Sequence, residues 1–152
     1  MRGRGWILFL IIVPVICAMM DIIPDKLSYA PGETVVATAK LDIKSPVANR
    51  RFTATLICYE YSKIPDKDMQ QTSAVHTEKL FELGEDIAGK GKLAGGKYYI
   101  SITLPKNAPP TSHQYGKDGK AHTWIMHVKL DIPLAPDENA EKEIIVSGIG
   151  DE

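Results

Sequence analysis

The side chains able to hold a metal or attack a substrate are few in this 152-residue chain: four histidines, two cysteines and scattered carboxylates. His122 and His127 lie five apart in a run with strand periodicity, so they point to opposite faces and cannot share one ion without a bulge. His76 and His113 stand in separate regions, and there is no cysteine pair or i, i+2 histidine pair. No metal site is expected. Glu82, Glu85 and Asp86 are close in sequence, but nothing sets two of them across a substrate as acid and base. A G-x-S-x-G nucleophile elbow is absent. Gly91, Gly96 and Lys97 have the spacing of a phosphate-binding loop, yet Tyr98 stands where Ser or Thr would bind magnesium. The residues from Tyr98 to Leu104 read as a strand, whereas a phosphate loop must open a helix whose amides face the anion. Cys58 lies among apolar residues with no adjacent base, the setting of a small buried side chain rather than a nucleophile. No catalytic residue and no cofactor are expected, and the chain reads as a non-enzyme.

The elements that would position any site are strands. The longest is Ala121 to Leu134, where Trp124, Met126, Val128, Leu130 and Ile132 alternate with polar residues. Val35, Ala37, Ala39, Leu41 and Ile43 repeat the pattern, as do Phe52, Ala54, Leu56 and Cys58 within Arg51 to Tyr61. Asp21 to Leu27 reads as the first strand and Tyr98 to Leu104 as another, with a last one around Ile144 and Val146. Val75, Thr77, Lys79, Phe81 and Leu83 form one face of a weaker strand, placed at a sheet edge where Lys79 discourages pairing with another chain. Tyr29-Ala30-Pro31-Gly32-Glu33 predicts a tight turn, because Pro fixes φ and Gly accepts φ > 0. Lys44 to Arg50 and Gly84 to Lys97 read as loops. No apolar period of 3.6 persists, so the fold class is all-β: an antiparallel immunoglobulin-like sandwich of about seven or eight strands, preceded by a hydrophobic leader helix.

That leader is residues 1–18. Arg2 and Arg4 precede an apolar run from Ile7 to Met20, the layout of a signal peptide or membrane anchor, with residues 6–20 a possible tether. The folded domain is then 19–152, exported or membrane-anchored; translation from Met19 or Met20 would instead leave it cytoplasmic. Lys plus Arg total 18 against 19 Asp plus Glu. Losing Arg2 and Arg4 makes the domain mildly acidic, which argues against nucleic acid.

Two polar stretches remain as contact loops: Ser62 to Gln71, with Lys63 and Asp66, and Pro105 to Lys120, with Lys106, Tyr115 and Lys117. These five residues are the candidate partner-binding set. The lysines that flank the Gly- and Pro-rich loops, Lys90, Lys92, Lys97, Lys106, Lys117 and Lys120, read mainly as solubilising charges.

Several stretches resemble one family. Asp25-Lys26-x-x-Tyr29-x-Pro31-Gly32-Glu33-Thr34-Val35, the Pro46 loop, Ile102-Thr103-Leu104-Pro105 with Pro109-Pro110-Thr111, and His122-Thr123-Trp124 through Lys129-Leu130-Asp131-Ile132-Pro133 resemble the arrestin fold, and within it small prokaryotic arrestin-like and sporulation-control proteins. The likeness runs from about Asp21 to Val146. The Tyr-x-Pro-Gly-Glu-x-Val element is also similar to macroglobulin-type immunoglobulin-like domains. What the resemblance implies is a non-enzymatic adaptor that holds a protein partner on its curved face, loops or edge strands. The alternative is an exported immunoglobulin-like envelope module that binds a surface protein or glycan. Only one sandwich fits in the chain, and no individual functional residue carries over.

Overall fold

The computed structural model describes residues 19–64 and 74–148. The leader and Asp66 lie outside the described residues. Nine strands appear among them: β1 (Met19–Pro24), β2 (Thr34–Asp42), β3 (Val47–Asn49), β4 (Arg51–Ile64), β5 (Ala74–Ala88), β6 (Gly91–Leu93), β7 (Gly96–Thr103), β8 (Lys120–Asp131) and β9 (Glu138–Ile144). A three-stranded sheet, β1-β2-β7, faces a four-stranded sheet, β5-β4-β8-β9, and β3 pairs with β6 in a short ribbon. All strand pairs are antiparallel. Among the described residues no helix is long and apolar enough to cross a membrane.

The alternating strands supply the core. Val35, Ala37, Ala39 and Leu41 of β2, Phe52, Ala54, Leu56 and Cys58 of β4, Ile100 and Ile102 of β7, and Trp124, Met126, Val128 and Leu130 of β8 are all buried in one cluster. Each large side chain so buried contributes roughly 1.5–3 kcal/mol relative to exposure. Along one seam β1 packs beside β9, and along the other β5 packs beside β7. There the Ser101 amide donates to Glu85 Oε1 at 3.4 Å.

Several elements differ from the expectations drawn from sequence. β1 ends at Pro24, one residue after which the Asp25 amide makes a last bond to the Val36 carbonyl at 2.9 Å, so Leu27 lies outside the strand and is exposed. β4 runs on to Ile64, which places Ser62 and Lys63 in a strand rather than a loop. β5 continues through Gly84 to Ala88. A bulge at Leu80 reverses which face its side chains take: Phe81 pairs with Cys58 over the core, but Lys79 pairs with Tyr59 on the outer face, as do Thr77 and Val75 with Tyr61 and Lys63. The five residues assigned to one face are therefore split between two. The expected loops Lys44 to Arg50 and Gly84 to Lys97 contain β3 and β6, held together by Asn49, whose buried Nδ2 donates to the Gly91 carbonyl at 2.8 Å. Gly95 is required there, since a Cβ would sit 2.8 Å from the Ile43 carbonyl oxygen. The last strand, expected at Glu143 to Ser147, instead spans Glu138–Ile144, because the polar Glu138 and Asn139 pair with Leu130 and Lys129 at an outer edge while Val146 pairs only through a bridge to Tyr29.

The register sorts the connections to two ends. β2 starts and β7 finishes at Thr34↔Thr103, the end where β4 finishes and β8 starts. The Leu104 amide donates to the Glu33 carbonyl, extending the β2–β7 ladder, and the Tyr29 amide donates to the Ile145 carbonyl just after β9, tying the two sheet ends together. We call this the loop end. At the opposite end Met19 pairs with Asp42, so the chain enters the sandwich far from the loop end.

Candidate functional site

The loop end is built around Tyr29 and Trp124. Tyr29 follows β1 and is 1% exposed. Its backbone bridges in parallel to Val146. The next four residues make the expected turn, with the Glu33 amide donating to the Ala30 carbonyl at 3.0 Å and Gly32 at φ 83°. Lys26 and Glu33 form an ion pair beside it. Trp124 stacks on Phe81, ring centroids 5.7 Å apart, and its Nε1–H donates to the Pro109 carbonyl at 2.8 Å. The Pro105 to Lys120 connection is thereby pinned rather than loose. Thr111 Oγ1 accepts from the Val146 amide at 2.9 Å, and Ser112 and His122 exchange bonds through Ser112 N–H and His122 N–H.

On this platform two of the candidate residues meet. Lys63 Nζ lies 4.7 Å from the centroid of the Tyr115 ring, and the Lys63 amide donates to the Gly119 carbonyl at 3.2 Å. A cation over an aromatic face at an exposed site contributes about 0.5–1 kcal/mol. Lys117 is exposed in the same Gly116–Gly119 turn. Lys106 shares the loop end but stands apart, packed against Gly32 of the turn. Lys90, Lys92 and Lys97 belong to the opposite end with β6 and the start of β7, so the six lysines form no single basic patch.

Sequence spacing does not single out Glu60, and it leaves His122 as a rim histidine. Cross-strand pairing brings them together from β4 and β8, with His122 Nε2 2.9 Å from Glu60 Oε2 and both side chains largely buried. An ionised carboxylate only accepts, so the imidazole donates. Lys120 Nζ lies 3.7 Å from Glu60 Oε1. The hydrogen bond from His122 holds the Glu60 carboxyl below the usual glutamate range; burial opposes this, and the Lys120 charge adds to it. A carboxyl depressed in the folded state stabilises above its unfolded value of 4.5, and that contribution disappears as pH falls through the folded value. Glu60→Gln is therefore expected to lower stability at about pH 7, with the difference from wild type closing at about pH 3. Urea unfolding at the two pH values checks this; a difference independent of pH excludes the pairing.

The remaining histidines are dispersed. His113 Nε2 lies 3.0 Å from Glu143 Oε2, and His127 Nε2 lies 3.0 Å from Asn139 Oδ1 on the outer face, opposite in facing to His122. Among the described residues no three His, Cys, Asp or Glu side chains converge as metal ligands. Burial, with the Glu60 charge adding, pushes the Cys58 thiol up to about 12, so it stays protonated and unreactive at neutral pH.

No protein-family model and no curated protein matches the chain. Among solved structures it is similar to Spo0M, the sporulation control protein of Bacillus subtilis, with a TM-score of 0.62 and 22% identity over 86% of this chain and 49% of that one. The two share a fold. That fold supports the arrestin-like β-sandwich expected from the sequence, and the chain spans about half the length of the Spo0M chain.

Proposed function

We propose that this chain is a non-enzymatic, arrestin-like regulatory module that holds a protein partner at its loop end. The observation that carries the reading is the convergence there of Lys63 and Tyr115, from two segments each expected to make contacts, on a platform fixed by Trp124 and Tyr29. Tyrosine and a long cationic side chain offer a partner apolar area and charge together, the composition from which interface hot spots are built. The similarity to a sporulation control protein is in keeping with a regulatory rather than a catalytic role. A photo-crosslinking residue at position 115 of the full chain is expected to capture a discrete polypeptide, and Lys63→Ala to reduce that capture by about tenfold. The same probe at Lys90, at the opposite end, is expected to capture none; equal capture from both positions refutes a loop-end site.

A second reading rests on Arg2, Arg4 and the apolar run after them. On it, the module is an exported or anchored envelope protein whose loop end takes a surface protein or glycan. Met19 and Met20 of β1, the end of the apolar run, pair with Asp42 and Leu41 of β2. Mass spectrometry of the most amino-terminal peptide in cytosolic, membrane and secreted fractions separates the two readings.

A further inference from the structure

We propose that the amino-terminal part of β5 pairs with the same segment of a second copy of this chain, joining the two four-stranded sheets into one across a two-fold axis. β5 is an edge strand: among the described strands its backbone ladder is with β4 alone. Its carboxy-terminal part approaches β7, but Val75 to Leu80 are exposed at every position, with Val75 54% and Leu80 38% exposed. Such an edge presents unpaired backbone groups that take another strand.

The side chains say which strand fits. Val75-His76-Thr77-Glu78-Lys79 is complementary to itself when paired antiparallel about Thr77. His76 then faces Glu78 of the second copy, and the two-fold axis makes that pair twice. Thr77 faces Thr77, and Lys79, expected from the sequence to deter another chain, here faces no like charge: its stem covers the exposed Val75 of the copy and its ammonium stays in water. A chain meeting its own copy through one patch must be self-complementary in this sense. The bulge at Leu80 ends the match, leaving about five paired residues a side. That is small against the roughly 1,200 Å² total of a stable interface, so the dimer is weak and set by concentration.

The pairing also bears on the loop end. Thr77 lies opposite Tyr61 in the β4 register, so Tyr61 and its copy would stand three strand spacings apart, roughly 14 Å, on the same face of the joined sheet. Because β4 and its copy run in opposite directions in the joined sheet, the two loop-end sites are neighbours but point opposite ways along the strands, an arrangement suited to a partner that is itself two-fold symmetric. Self-association does not depend on the loop-end reading, and either can fail alone.

Sedimentation velocity of the full chain over a dilution series is expected to show a monomer–dimer equilibrium. Glu78→Lys sets cation against imidazole at both pairs and is expected to weaken the dimer by about tenfold. His76→Glu combined with Glu78→Lys moves the carboxylate to the other member of each pair and is expected to restore it. Both side chains are exposed, so neither change threatens the fold. A chain that stays monomeric at every concentration, an edge that takes only a foreign polypeptide, or association unaffected by Glu78→Lys overturns the proposal.

Discussion

Trp124→Ala is expected to cost about 3–5 kcal/mol, a large share of the roughly 5–15 kcal/mol by which a domain of this size is stable. Three consequences add in one residue. The indole is 0% exposed between the sheets, so its removal leaves the largest single void the core can carry. Phe81 loses the ring it stacks on, and the β5 bulge that turns Phe81 inward loses its reason. The Pro109 carbonyl loses its donor, which loosens the connection carrying Tyr115 and Lys117. Trp124→Phe separates these effects. It keeps an aromatic in the core but cannot donate, and is expected to cost less, about 1–3 kcal/mol. Denaturant unfolding of both variants gives the two values. The Lys63-to-Ala effect on capture at position 115 should already vanish in Trp124→Phe if the indole hydrogen bond positions that loop. A Trp124→Ala cost under about 1 kcal/mol would mean that the indole is not a keystone of the core.

The strands that form the core are those whose pattern is visible locally. β2 and β8 each alternate for eight or more residues and burial follows that alternation, while in β4 it follows from Arg51 to Leu56 before Ile57, on the other face, is buried as well. The turn at Pro31-Gly32 is equally legible, because Pro and Gly restrict φ without help from the rest of the chain. The illegible parts depend on partners distant in sequence. β3 and β6 are three residues each and exist because Asn49 reaches Gly91 across 42 positions. The facing of Val75, Thr77 and Lys79 turns on a bulge, and an extra residue in one strand leaves no mark in a period-two pattern. Pro105 to Lys120 has the composition of a loose connection, yet Trp124, Val146 and His122 fix it. For the candidate site, the same limits apply. Composition and periodicity place Lys63 and Tyr115 in contact segments and put His122 and His127 on opposite faces. They cannot pair Lys63 with Tyr115, or Glu60 with His122, because each pair is made by strand register.

Tyr29→Ala should rival the tryptophan change for a different reason, with an expected loss of about 3–5 kcal/mol. Trp124 fills the space between the sheets; Tyr29 fastens their ends. Its amide donates to the Ile145 carbonyl and its own carbonyl accepts from the Ser147 amide, which anchors it beside the four-stranded sheet. Its hydroxyl lies 3.0 Å from the Val36 carbonyl of the three-stranded sheet and 2.5 Å from Asp25 Oδ1, acceptors that share one O–H, while the Lys26 amide donates to the same oxygen at 3.2 Å. Tyr29→Phe retains the ring and strands these partners, for about 1–3 kcal/mol. The hydroxyl also gives the prediction a pH signature. Burial first, and the Asp25 hydrogen bond second, raise its pKa from 10.0 to about 12. An acid raised in the folded state stabilises fully below its unfolded value, and that contribution is lost as pH rises from 10.0 toward about 12. Wild type should therefore lose stability across that alkaline window more steeply than Tyr29→Phe, which has no proton to release there. Parallel alkaline limbs in the two proteins would show that the Tyr29 hydroxyl does not close the sandwich.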